Sequence, residues 1–213
     1  MSAGTDLVRD TFRRQVQDTL LWLGQTEGLW LSSLPGTSIR SSLTTLQLAA
    51  LYEAAYLRIF ASWEVFLEDI CAKFMAGQAT SYVPRAAAGQ RLERTVKAAR
   101  MKLFGTKDYL LWHNPVTVQL RVARWLSNSP IEIVFLRDAN WLGNAASVRH
   151  AIAHGSADAI ANFELACVAI TGSRKDSPGR MLRASDLSDP LNLTKWIVII
   201  TGTLVRLADE IAA

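Results

Sequence analysis

Apolar residues recur every three to four positions over most of the chain and show no sustained alternation, a pattern that predicts helices and no sheet. Leu7, Val8, Phe12, Val16, Leu20 and Leu23 share one stripe, predicting an amphipathic helix over about residues 6–31 that stops before Pro35-Gly36. A second helix is predicted from about Ser42 to Ala76, closed by Gly77. Its Tyr52, Tyr56, Ile59, Trp63, Phe66, Leu67, Ile70 and Phe74 fall in one narrow sector at roughly 100° per residue, the strongest core signal in the chain. Past Pro84 a basic helix is expected with Arg91, Arg94, Lys97, Arg100 and Lys102, followed by Gly105 and an Asn114-Pro115 turn.

Ser129-Pro130-Ile131-Glu132 reads as a capping box with proline at the first helical position. The helix it opens is expected to pass Ile133, Val134, Leu136 and Trp141 and to stop at Gly143, with Asn144 capping a short helix that ends at Gly155. A further helix is predicted over Ala157 to Thr171. The segment from Gly172 to Asp189 is turn-rich, with a hairpin expected around Met181-Leu182. Asp189-Pro190 should open a closing helix that uses Leu193, Trp196, Ile197, Ile200 and Leu204. The expected fold is all-α: one up-and-down helical bundle with a long core helix and the short helix that ends at Gly155 and bears the Arg149–His154 motif.

Composition narrows the class. Of 213 residues 50% are hydrophobic and 20% charged, which suits a packed domain and not a disordered chain. A net charge of +4 is compatible with a polyanionic partner without demonstrating one. Cys71 and Cys167 sit inside apolar helical patterns and read as small core residues, with no disulfide framework or thiolate metal site. No apolar leader is apparent, and the greasy run from Trp196 to Ile200 is too short to span a bilayer. A cytoplasmic protein without membrane attachment is expected. The tryptophans read mostly as core.

Chemistry concentrates in Arg149-His150-Ala151-Ile152-Ala153-His154, closed by Gly155. Residues five apart on a helix are separated by roughly 140° and about 7.5 Å of rise, so Arg149 and His154 do not share a face as residues four apart do. A long guanidinium can sweep round, letting both heads edge one groove. A phosphodiester needs that pair: a forked cation on its non-bridging oxygens and a proton carrier beside the reacting oxygen. Two copies about a two-fold axis would double the set. The other reading makes Arg149 a surface residue and His154 a helix-terminal histidine, whose cationic form suits the last carbonyls.

In this context Val148-Arg149-His150-Ala151-Ile152-Ala153-His154-Gly155 resembles the signature of the HEPN superfamily, with His150 where that family most often has asparagine. The Ile-Ala-His-Gly ending is similar to stand-alone HEPN proteins, including the RiboL-PSP type. Ala61-Ser62-Trp63-Glu64-Val65-Phe66-Leu67-Glu68 resembles the first core helix of such domains, and about residues 42–210 are covered, with the helix over 6–31 an addition. The resemblance implies a metal-independent endoribonuclease, active as a homodimer with both motifs facing one cleft. Arg149 would orient the scissile phosphate, His154 would transfer protons, and His150 would bind phosphate or position the pair. The products would be a 2′,3′-cyclic phosphate and a 5′-hydroxyl. Toxin, antiviral or stress-defence roles, with a cognate neutralising or partner protein, belong to the same picture. Other HEPN proteins do not cleave and serve as RNA-binding, dimerising or partner-binding modules.

Glu64, at the margin of the long stripe, either reaches such a cleft or is a solvated boundary charge, whereas Glu68 reads as surface. His150 and His154 share a helix face, but Ala151 stands where a zincin needs glutamate, so no metal site and no cofactor are expected. Arg174, Lys175, Arg180 and Arg183 form a cationic loop suited to RNA phosphates, and the earlier basic helix is the weaker alternative. Trp112, beside His113 and the Asn114-Pro115 turn, is the candidate base-stacking platform.

Overall fold

The protein is all-α, as its apolar periodicity dictates. The computed structural model describes residues 4–107, 109–188 and 193–213. Among them lie ten helices, no strand, and two isolated bridges, Ala86 with Leu126 and Ser185 with Lys195. Helix α1 (Thr5–Ser32) buries Phe12, Val16, Thr19 and Leu23 and leaves Leu7 exposed. A short α2 (Ser38–Ser42), unannounced by any stripe, precedes α3 (Thr45–Met75). All eight residues of the α3 stripe are at most 2% exposed.

Capping chemistry sets the next boundaries and corrects several expectations. Helix α4 (Val96–Phe104) starts where Thr95 Oγ1 accepts the Ala98 N–H at 3.1 Å, so Arg91 and Arg94 precede the helix and only Lys97, Arg100 and Lys102 ride on it. Asn114-Pro115 opens α5 (Pro115–Ala123) where a turn was expected: Asn114 Oδ1 accepts the Thr117 N–H at 3.0 Å, and proline at the first position lacks only a donor that has no use there. Helix α6 (Pro130–Arg137) begins behind Ser129 as expected and ends at Asp138, short of Gly143. Helix α7 (Ala139–His154) then runs unbroken through Gly143 and Asn144. An interior glycine costs a helix only about 1 kcal/mol, too little to stop one that is packed.

Helix α8 (Ala157–Thr171) matches its prediction, with Ser156 capping its start and Gly172 at φ 70° closing it. The expected hairpin is instead α9 (Pro178–Arg183), with Met181 and Leu182 buried. Asp189-Pro190 lie outside the described residues. The closing helix is α10 (Trp196–Ala212), and Leu193 before it is exposed. Of the seven tryptophans, Trp63 and Trp112 alone are fully buried, which corrects the reading of most as core. Cys71 and Cys167 are free thiols in the interior. Among the described residues no helix is long and apolar enough to cross a membrane.

The chain divides into two compact units, and α1, α3, α7 and α10 contribute residues to both. The first comprises Met1–Arg13, Ser62–Gly143 and Leu204–Ala213. Its centre is Trp63, whose ring lies 5.7 Å from Phe12, 5.4 Å from Phe66 and 6.3 Å from Phe135. Thr5 Oγ1 donates to the Ala212 carbonyl at 3.1 Å, and Arg13 pairs with Asp209 at 2.6 Å.

The second unit comprises Arg14–Ala61 and Asn144–Thr203. Its buried residues include Tyr52, Tyr56, Ile59 and Phe60 of α3, and Val148, Phe163, Met181 and Ile197. Gly179 of α9 lies directly on α3, its N–H donating to Glu53 Oε1 at 2.9 Å. A Cβ there would press on the Ala49 carbonyl, with that carbonyl carbon at 2.7 Å. Gly179→Ala is therefore expected to destabilise the protein by about 1–3 kcal/mol, because the obstacle is backbone and cannot rotate away. Urea denaturation reads this directly, and a wild-type midpoint would mean that α9 does not sit against α3.

Candidate functional site

The hexapeptide occupies the last turns of α7. Ala145, Val148 and Ala151 form the buried face of this stretch, and small side chains there let helices approach closely. Tyr56 fixes the helix from α3, donating its hydroxyl to the Ala145 carbonyl at 2.8 Å in the interior. Burial pushes that phenol's pKa far up, so it stays a donor. With one face committed inward, the remaining positions turn out: Arg149 is half-buried, and His150 and His154 are exposed.

The two imidazoles lie four residues apart with ring centroids at 4.4 Å and planes inclined by 54°. Gly155 ends the helix at φ 59°, a left-handed conformation that disfavours a side chain, and its N–H donates to the Ala151 carbonyl at 3.0 Å. Among the described residues Arg149 enters no ion pair, and no hydrogen bond joins it to His154. The arrangement offers a cation on one flank of the helix end and two exposed titratable rings on the other. That set can accept an anion and exchange protons with it.

The other sequence candidates are placed differently. Glu64 belongs to the first unit, where its Oε1 lies 3.1 Å from His113 Nδ1, and its side chain is 12% exposed. Neither a solvated boundary charge nor an uncommitted carboxylate describes it. Glu68 is half-buried, not a free surface group, and burial raises its pKa. Trp112 is 2% exposed with the Arg121 guanidinium 4.8 Å over its ring, which leaves no face for a base to stack on.

The cationic loop set is largely engaged. Arg174 faces Glu164 at 3.6 Å, Arg180 pairs with Asp176, and Arg183 is committed to Glu27 at 2.8 Å. Lys175 is half-buried. Arg180 and Arg183 ride on α9, so this half of the set is a helix and not a flexible loop.

Sequence reading missed the Glu27 assembly altogether. The Glu27 carboxylate, 5% exposed, receives the Tyr52 hydroxyl at 2.5 Å, Arg183 Nε at 2.8 Å and the Lys195 ammonium. Lys195 also donates to the Tyr52 oxygen at 2.6 Å, and burial pushes the Tyr52 phenol up to about 12. Glu27, Arg183 and Lys195 border a hollow of about 370 Å³. No local signal joins them, since they come from α1, α3, α9 and the segment before α10. Among the described residues no three His, Cys, Asp or Glu side chains gather as metal ligands would. No family model matches the chain, and neither a curated protein nor a solved structure does.

Proposed function

We propose that this protein is a metal-independent endoribonuclease whose active site joins Arg149, His150 and His154 of two copies across a homodimer. The observation that carries the reading is the exposed pair of imidazoles at the end of α7, with a half-buried arginine one residue before them. In this mechanism Arg149 holds the non-bridging oxygens of the scissile phosphate, and one His154 accepts the proton of the 2′-hydroxyl. The 2′-oxygen bonds to phosphorus as the bond to the 5′-oxygen breaks, and the second copy's His154 protonates that leaving oxygen. The products are a 2′,3′-cyclic phosphate and a 5′-hydroxyl. His150, four residues from His154 and in ring contact with it, orients the reacting imidazole or binds phosphate.

Single-stranded RNA incubated with the protein in EDTA should yield cyclic-phosphate ends. His154→Ala should cut the rate by about a hundredfold, as loss of a general acid–base does. Because His154 is exposed, its Tm should stay at the wild-type value. Cleavage that survives both His154→Ala and Arg149→Ala would place the chemistry elsewhere. Tight RNA binding with no product would favour a catalytically inactive RNA-binding or dimerising module.

A further inference from the structure

The first unit carries an open groove of about 470 Å³ between the end of α4 and α5. Four cations border it: Lys102, Lys107, Arg121 and Arg124. No described residue of its lining is acidic. Uncharged groups lie against three of the four. The Trp125 ring has the Lys102 ammonium 4.8 Å and the Arg124 guanidinium 5.0 Å from its centroid. Arg121 lies 4.8 Å over Trp112 and donates from Nη1 to the Leu111 carbonyl at 2.8 Å.

An aromatic face attracts a cation without cancelling its charge. Only Lys102 has a carboxylate among the described residues, Glu93 at 2.9 Å. Arg121 is half-buried, and burial lowers its pKa. A guanidinium withdrawn from water without an acidic partner is costly, and an incoming oxyanion repays that cost while matching its fork. The hollow is too wide and too highly charged for one carboxylate. It contrasts with the Glu27 cavity, where a buried carboxylate already engages two of the cations.

We infer that this groove binds closely spaced phosphate groups, with Arg121 and Arg124 as the principal contacts and Lys102 and Lys107 supporting them. The shared chemistry is a run of phosphates, supplied either by a single-stranded nucleic acid backbone or by a free diphosphate. The inference does not depend on the ribonuclease reading, because it requires no cleavage.

The test uses the full chain at low ionic strength, with Trp fluorescence and calorimetry as readouts and two probes. One is inorganic pyrophosphate. The other is a short 2′-O-methyl oligouridylate, which cannot form a cyclic phosphate. Saturable binding of either probe, weakened roughly tenfold by Arg124→Gln, supports the site, that being the usual worth of one charge-assisted contact. Arg124 is exposed, so this variant should keep the wild-type Tm, and Arg121→Gln should weaken binding at least as much. Oligouridylate binding that pyrophosphate does not displace identifies a nucleic acid backbone, and the reverse preference identifies a free diphosphate. No binding of either probe, or wild-type affinity in the Arg121→Gln/Arg124→Gln double variant, overturns the inference. The Arg121→Gln/Arg124→Gln variant is also assayed for cyclic-phosphate product on single-stranded RNA, so that loss of this site and loss of cleavage are read as separate results.

Discussion

Glu27→Ala should lower folding stability by about 3–5 kcal/mol, read as a fall in the urea midpoint with an unchanged slope. The carboxylate sits in the interior at 5% exposure and takes donors from three other parts of the second unit: the Tyr52 hydroxyl, the Arg183 Nε and the Lys195 ammonium. Removing it leaves two cations side by side without the carboxylate that both of them engage. Arg183 and Lys195 are 28% and 31% exposed, so water relieves part of the loss and the lower half of that range is expected. Two controls separate charge from volume. Glu27→Gln keeps the shape and one acceptor oxygen and should lose less. Replacing the whole group at once, by Glu27→Leu with Tyr52→Phe, Arg183→Met and Lys195→Met, should recover much of the stability, because an apolar cluster needs no counter-ions. If Glu27→Ala alone leaves the midpoint unmoved, the carboxylate is not buried among these donors.

The fold was legible wherever a local signal coincided with a tertiary one. Helix α8 begins after Ser156, whose Oγ accepts the Ala159 N–H at 3.3 Å, and ends before Gly172, which acts through its left-handed backbone. The α3 stripe is legible because eight large side chains over six turns admit a single buried face. Failures came where tertiary packing outweighed a local preference. Gly143 and Asn144 look like a stop and a start, yet the helix continues through them, and the break falls instead at Asp138, which no glycine or proline marks. Ser177-Pro178-Gly179 looks like a turn. Proline at a first helical position and a glycine that lies on the Ala49 carbonyl serve a helix equally well, and only the contact decides.

The same division holds for the candidate site. Arg149, His150 and His154 sit within one and a half turns, so their spacing alone puts them at one helix end. Glu64 stands out in sequence at the stripe's margin, but its partner His113 is 49 positions away and no pattern connects them. The sequence neighbours of Arg183 suggest a phosphate ligand, whereas its partner in space is Glu27. The groove beside Trp125 is invisible for a related reason. Its cations come from the end of one helix, a connecting segment and the end of another, and the trait that singles it out, the absence of acidic neighbours among the described lining, is a property of space and not of order along the chain.

Trp63→Ala should cost about 3–5 kcal/mol, the loss typical of truncating a large buried aromatic. The indole is 1% exposed and meets Phe12 of α1, Phe66 of α3 and Phe135 of α6, so its removal opens a void bordered by three helices of the first unit. Phe135 stacks nearly parallel to it, at 8° between planes, and Phe12 is tilted by 54°. Those rings hold one another at fixed angles, and none can swing into the gap without losing its own contacts. The void therefore persists, and the cavity adds to the lost transfer free energy. Trp63→Phe keeps a ring in place and should cost distinctly less than Trp63→Ala. The comparison is decisive because a site that collapsed freely would make both variants mild. Equal and small losses would mean that Trp63 is not the keystone of the first unit's core, whereas a graded loss from phenylalanine to alanine, read by urea denaturation, would establish that it is.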